Sequence, residues 1–152
     1  NNTNMDSKVV YSSSMTRKTL DDLRNAVQEN SKINAFSEDR SEAFYIRGLS
    51  KFKANDPKGA LLDLNTSIEL NPTYAEAHFL RGLVRSSTGL QKEALLDCSN
   101  AIKINSKYPE AFYVRGIIKY SLGDTNAGCY DLSRAGELGY SAAYGVIREY
   151  CN

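Results

Sequence analysis

Charged side chains that recur at a fixed interval are the first candidates for chemistry in this chain. Arginines and aspartates each return every 34 residues, at Arg47, Arg81 and Arg115 and at Asp63, Asp97 and Asp131. A second basic residue follows each arginine by four positions, at Lys51, Arg85 and Lys119. These side chains suit either of two roles. Each arginine can form an internal ion pair with one aspartate, or the six cations together can bind phosphate or an acidic peptide. We favour structural ion pairs, because one arginine and one aspartate occur in every interval.

The side chains that catalysis would require are sparse. The single histidine, His78, occupies the phase that Phe44 and Phe112 occupy in the neighbouring intervals, so a packing role explains it. No glycine-rich phosphate loop and no paired metal ligands occur. The sequence therefore predicts a protein that is not an enzyme and that has neither a metal site nor a cofactor.

Two of the three cysteines are candidates for a disulfide bond. Cys129 and Cys151 are roughly equidistant in sequence from Gly139-Tyr140, so antiparallel packing of two helices would bring them level. A disulfide also needs Cα atoms within about 7 Å, which many helix pairs exceed. Free, buried thiols are the favoured interpretation, and a disulfide, which would indicate export, is the alternative.

Composition places the chain among folded globular domains. It has 152 residues, of which 41% are hydrophobic and 24% charged, enough for one domain with its own core. A net charge of +1 gives no reason to expect nucleic acid as a partner. No stretch approaches the roughly 20 apolar residues that cross a bilayer. We expect a soluble protein without a membrane span, and both a cytoplasmic and an exported location stay open.

Internal repeats show which elements position these side chains. One heptapeptide occurs three times, as EAFYIRG at 42–48, EAHFLRG at 76–82 and EAFYVRG at 110–116. A second block keeps the same phase, as ALLDLNTSIELN at 60–71, ALLDCSNAIKIN at 94–105 and GCYDLSRAGELG from residue 128. Apolar residues within each block recur at helical spacing, and helix-ending signals separate the blocks. Each interval therefore predicts a helical hairpin.

This spacing resembles the tetratricopeptide repeat, a 34-residue helical hairpin with small and apolar residues at fixed positions. The first unit matches it with Phe44, Gly48, Ala60, Leu64 and Pro72. The closing run from Gly128 is similar to the ending of many bacterial members. The resemblance implies an all-α fold, a right-handed superhelical solenoid. It also implies a non-enzymatic scaffold that binds an extended peptide or partner helix in a concave groove.

The resemblance places the groove along the first helix of each unit. The residues that it implies as groove residues are Tyr45, Leu49, Phe52, Phe79, Leu83, Tyr113, Ile117 and Tyr120. Positions at which chaperone-binding relatives hold an acidic carboxyl terminus carry other residues here, and Glu110 would repel a carboxylate. We therefore expect an aromatic groove for an extended protein segment of unknown identity. Leu49, Leu83 and Ile117 could instead pack between units. The alternative function is a structural or self-associating module, with the groove or an end face against another copy.

The predicted domain organisation has three parts. Residues 1–14 are expected to be a flexible lead, and residues 15–40 a capping helix that starts at Thr19, followed by a connector. Residues 41–152 are the expected repeat domain, with units at 41–74, 75–108 and 109–140 and a capping helix at 141–151. We expect Ser141 to cap that last helix.

Overall fold

A computed structural model of the protein describes the backbone of residues 3–152 and the side chains of residues 18–152. Within this range the fold is all-α, which confirms the predicted fold class. The helices are α1 (Thr3–Lys53), α2 (Pro57–Leu70), α3 (Ala75–Ser87), α4 (Gln91–Ile104), α5 (Pro109–Ser121), α6 (Thr125–Glu137) and α7 (Ala142–Tyr150). Packing divides the chain into two compact units, residues 1–39 and 40–152.

Helix α1 differs from the predicted organisation of the amino-terminal part. One continuous helix covers Thr3–Lys53, so within the described backbone neither a flexible lead nor a connector interrupts it. The prediction of a helix start at Thr19 is therefore wrong, and residues 1–2 lie outside the described range. No glycine or proline precedes Gly48 in the sequence, so the residues that most strongly stop a helix are missing.

The repeat hairpins begin and end where their turn residues predict. The Asp56 carboxylate caps α2 by accepting a hydrogen bond from the Gly59 amide at 2.9 Å, and Pro57 occupies the first helical turn. Gly123 ends the helix before it with a φ of +93°, a left-handed conformation that favours glycine. The expected cap at Ser141 is absent, because its side chain forms no capping hydrogen bond with α7.

Small residues let the two helices of a hairpin approach each other closely. A methyl group added at Gly116 would come within 2.8 Å of the Gly128 carbonyl oxygen, and one added at Gly128 within 2.7 Å of the Gly116 carbonyl oxygen. Gly82 likewise faces Ala94 and Cys98, each with an atom within 3.3 Å of such a methyl group. The mid-helix glycines thus serve helix packing, which offsets their low helix propensity.

Successive hairpins stack on one another within residues 40–152. Each helix from α2 to α7 packs against the next, and α3 also touches α5, so the first helices of these hairpins lie side by side. The buried core passes from unit to unit, with Ala60 and Leu64 packed against Leu80 and Val84 of the next unit. Helix α7 buries Ala143 against the last hairpin. None of the helices described is both long and apolar enough to cross a membrane.

A disulfide joins the last hairpin to the end of the chain. Cys129 and Cys151 are bonded, with their Cα atoms 5.8 Å apart, so the prediction that they lie near each other is confirmed. The favoured interpretation of free thiols was wrong for this pair. Cys151 stands just beyond the end of α7, where its Cα lies within the range that a disulfide needs. Cys98 is free and buried, and burial raises the pKa of its thiol to about 12, which keeps it protonated.

Candidate functional site

Each repeat unit buries one aspartate between two basic side chains of its first helix. In the second unit Asp97 Oδ1 accepts a hydrogen bond from Arg81 Nη2 at 2.7 Å, and Oδ2 accepts one from Arg85 Nη1 at 2.8 Å. The same arrangement, with nitrogen–oxygen distances of 2.7 to 2.9 Å, joins Asp63 to Arg47 and Lys51 and Asp131 to Arg115 and Lys119. All six cations of the alternative anion site thus contact an aspartate of the protein itself.

These contacts account for the charge of the basic side chains without an external anion. The hydrogen bond from Arg47 is the main reason that the pKa of Asp63 falls to about 2, so this carboxylate is ionised at any physiological pH. A buried carboxylate between two cations neutralises part of their charge and accepts a hydrogen bond from each of them. The geometry therefore favours internal ion pairs over a stripe that binds phosphate or an acidic peptide.

The arginines of the later units also link neighbouring hairpins. Arg81 Nη1 donates to Asn65 Oδ1 at 3.0 Å, and Arg115 Nη1 donates to Ser99 Oγ at 3.4 Å. Asn65 and Ser99 lie on the second helices of the preceding units. Each of these guanidinium groups therefore links the two helices of its own hairpin and also bonds to the preceding hairpin.

Three aromatic pairs form a row along the first helices. The ring centroids lie 4.7 to 5.1 Å apart in the pairs Tyr45–Tyr74, Phe79–Tyr108 and Tyr113–Tyr140. One member of each pair is a predicted groove residue, and the other stands at the turn that precedes the next first helix. Sequence reasoning missed the three turn tyrosines. Their signal is a repeat of their own, because Tyr74 and Tyr108 are 34 residues apart and Tyr140 follows after 32.

The turn tyrosines are partly buried and lie close to acidic side chains. Burial, with smaller contributions from Tyr45, Glu42 and Glu76, raises the pKa of the Tyr74 hydroxyl to about 12. Burial and then the charge of Glu76 raise the pKa of Tyr108 as well. Both phenols therefore remain protonated and can donate hydrogen bonds at the surface of the row.

The remaining predicted groove residues divide into two groups. Leu49, Phe52 and Leu83 pack against the core shared by the first two hairpins, so these side chains contribute to packing between units. The other two line an apolar cleft of about 280 Å³, whose walls are Ile117, Tyr120, Ser121, Leu132, Val146 and Tyr150. The rings of Tyr120 and Tyr150 lie 5.7 Å apart there. Helix α7 therefore completes a cleft at the carboxyl-terminal end of the row.

His78 is a packing residue with one hydrogen bond. It is buried, and its Nε2 lies 2.8 Å from the Pro72 carbonyl oxygen. Because a carbonyl oxygen can only accept, Nε2 carries the proton in this contact. Among the described residues no metal-type cluster of histidine, cysteine or acidic side chains accompanies it. This ring joins the start of α3 to the turn before it.

Comparison with solved structures finds helical repeat proteins. The first TPR domain of Spaghetti (RPAP3), solved with the HSP90 peptide SRMEEVD, is similar with a TM-score of 0.72 and 19% identity, over 75% of this chain and 92% of that chain. MamA gives a TM-score of 0.63 and 27% identity over 68% of this chain and 61% of that chain. YrrB, a TPR protein with an unusual peptide-binding site, gives 0.66 and 24% identity over 72% of this chain and 57% of that chain.

Comparison of the sequence alone finds no relative, in contrast to comparison of the structure. No family model matches the sequence, and no curated protein matches it either. The chain spans about three fifths of the length of MamA and of YrrB. The 34-residue period, the stacked helical hairpins and the likeness to solved structures together show that the chain has the fold of tetratricopeptide repeat proteins.

Proposed function

We propose that the chain is a protein-interaction scaffold, and not an enzyme, which holds an extended segment of a partner protein against its first helices. The observation that carries this proposal is the row of aromatic pairs, one pair in each repeat unit. A binding site that repeats with the period of the solenoid suits a ligand with a regular repeat of its own. An extended peptide is such a ligand, because its residues follow one another at a constant spacing. The row is thus the proposed binding groove.

The chemistry of the row supports this assignment. Tyr45, Phe79 and Tyr113 are each only partly buried, so part of every ring stays available to a ligand. Aromatic side chains supply a large contact area at a low cost in rotamer entropy, and they are over-represented among residues that dominate binding energy. Each ring is also held by its tyrosine neighbour, which limits the ordering needed on binding.

Two of the structural neighbours support the same idea by analogy. The RPAP3 domain was solved with a bound peptide, and YrrB has an unusual peptide-binding site. The peptide SRMEEVD is acidic, whereas the cations of this chain are engaged with its own aspartates. The proposed ligand is therefore an extended segment of a different character.

Peptide selection followed by substitution tests the proposal. A peptide selected from a displayed random library against the wild-type chain should bind at least about fivefold more weakly to Tyr45→Ala, Phe79→Ala and Tyr113→Ala. Tyr130→Ala is the matched control, because Tyr130 is an exposed tyrosine on a second helix. Circular dichroism checks that each variant is folded. Wild-type affinity in all three folded groove variants would show that the groove assignment is wrong.

Self-association is the second candidate function, and the first compact unit favours it. Leu20, Leu23 and Val27 lie on one face of α1 and are exposed, and a second apolar helix would cover such a stripe. Sedimentation analysis of the wild type and of Leu23→Glu distinguishes the candidates. A dimer that the substitution dissociates supports self-association, and a monomer that binds peptides supports the scaffold alone.

A further inference from the structure

A row of glutamates accompanies the aromatic row. Glu42, Glu76 and Glu110 are exposed and recur every 34 residues near the starts of the repeat units. Each lies three positions before an aromatic groove residue, and side chains at that spacing share one face of a helix. The carboxylates therefore border the aromatic pairs on the same side of the first helices.

Electrostatic effects on the tyrosines agree with this placement. Burial is the main cause of the raised pKa of Tyr45 in the first unit and of Tyr108 in the second, and the charge of Glu76 raises both further. The pKa of Tyr74 is raised mainly by burial and by Tyr45, and the charges of Glu42 and Glu76 both add to this effect. Negative charge thus extends along the row of rings and does not stay at one end of it.

The side chains of these glutamates are not neutralised within the part of the chain whose side chains are described. There, neither an ion pair nor a side-chain hydrogen bond involves any of the three. The repeated basic side chains are held by Asp63, Asp97 and Asp131 instead. The two kinds of charge are thus separated, with paired charges between the helices of each hairpin and unpaired carboxylates along the aromatic row.

A carboxylate beside an aromatic face is a favourable environment for a lysine or arginine side chain. The aliphatic stem packs on the ring, and the cation interacts with both the ring quadrupole and the carboxylate. A phenolic hydroxyl nearby adds a hydrogen-bond acceptor for the same cation. An acidic or purely apolar segment would leave the carboxylates without partners and, if acidic, would be repelled.

From this charge complementarity we infer that the partner segment is basic and places lysine or arginine side chains over the aromatic pairs, beside Glu42, Glu76 and Glu110. This inference rests on the proposed function, since it names the character of the segment that the groove holds. It also separates this groove from the one that holds SRMEEVD in the structural neighbour, because that peptide carries the opposite charge.

Peptide selection against two matched double variants tests the inference. Peptides selected from a displayed random library on the wild-type chain should be enriched in lysine and arginine. A fluorescein-labelled peptide from that selection should bind about tenfold more weakly to Glu76→Gln/Glu110→Gln. The control is Glu69→Gln/Glu93→Gln, which removes exposed glutamates of the second helices and should bind as the wild type does. Raising the salt concentration should weaken wild-type binding more than binding to the groove double variant.

The outcomes separate this inference from the proposed function. If Tyr45→Ala and Tyr113→Ala weaken binding and the glutamine double variant does not, the groove is correct and the basic segment is wrong. Selection of neutral or acidic peptides would overturn the inference in the same way. If no peptide is selected, or neither set of variants weakens binding, the proposed function fails and the inference fails with it.

Discussion

The first and second repeat units contain the same ion pair in different surroundings. The side chain of Arg47 is 60% exposed and that of Arg81 is 16% exposed, although their partners Asp63 and Asp97 are 5% and 1% exposed. Arg81 lies beside the preceding unit and donates to Asn65 there, whereas Arg47 lies over the Phe44 ring at 5.1 Å. Identical motifs therefore differ in burial because the neighbouring hairpin, and not the motif, excludes water from the pair.

Asp97→Ala should be the most destabilising of the changes considered. It leaves Arg81 and Arg85 without a carboxylate at sites where they are only 16% and 23% exposed. We expect a loss of about 3–5 kcal/mol in the free energy of unfolding, as for other broken buried pairs. Asp63→Ala should cost about 1–2 kcal/mol, because Arg47 can return to water. Urea unfolding measures both.

The control for this pair of variants is Glu93→Ala, which alters an exposed carboxylate on a second helix. Equal losses for Asp63→Ala and Asp97→Ala would contradict the idea that the preceding hairpin sets the strength of the pair. A loss for Asp97→Ala within error of the control would contradict the structural role of the pairs altogether.

The repeat explains why so much of the second compact unit could be predicted. A 34-residue period fixes which residues face each other, so the pairing of Arg81 with Asp97 followed from phase alone. The second cation was assigned less well. A residue four positions after an arginine shares its helix face, but the sequence does not show whether Arg85 meets a ligand or the same aspartate.

The start of the chain and the turns between units were predicted less well from the sequence. The continuous helix over Thr3–Lys53 was missed because the start of the chain has no clear apolar pattern, and the lack of glycine and proline before Gly48 is its only sequence signal. Tyr74 and Tyr108, which keep the period, and Tyr140, which falls two residues short of it, were all missed as ring partners because they stand in the turns between helices. Such positions depend on turn geometry, which spacing alone does not determine.

The last repeat unit differs from the first in having a covalent link. The disulfide closes a segment of 22 residues between α6 and the end of α7. Cys129→Ser/Cys151→Ser should lower the free energy of unfolding by about 3 kcal/mol, since an open chain gains conformational entropy on unfolding. Tyr150 should also lose its fixed place in the wall of the apolar cleft.

Thermal melting with and without reductant measures this effect. Reductant should lower the melting temperature of the wild type and leave that of the double serine variant unchanged, which makes the variant its own control. Alkylation without reductant followed by mass spectrometry should modify Cys98 alone after unfolding. Three modified cysteines would show that the bond is absent.

Acid unfolding tests the ion pair of the first unit, where the expected effect on stability is the smallest. The pKa of Asp63 is about 2 in the folded chain, below its ordinary value of 3.8, chiefly because of the hydrogen bond from Arg47. The unfolded chain therefore binds a proton first as the pH falls, so the pair stabilises the fold above about pH 4 and loses this effect between about pH 4 and pH 2. We expect Asp63→Asn to be less stable than the wild type by about 1–2 kcal/mol near neutral pH, a value reduced from the full shift because Arg47 is largely exposed. The difference should shrink towards pH 2, and Glu93→Gln serves as the surface control in urea unfolding at each pH. A constant difference in stability between Asp63→Asn and the wild type through this range would show that the exposed arginine contributes nothing to the pair. The ion pair would then stabilise the second unit and not the first.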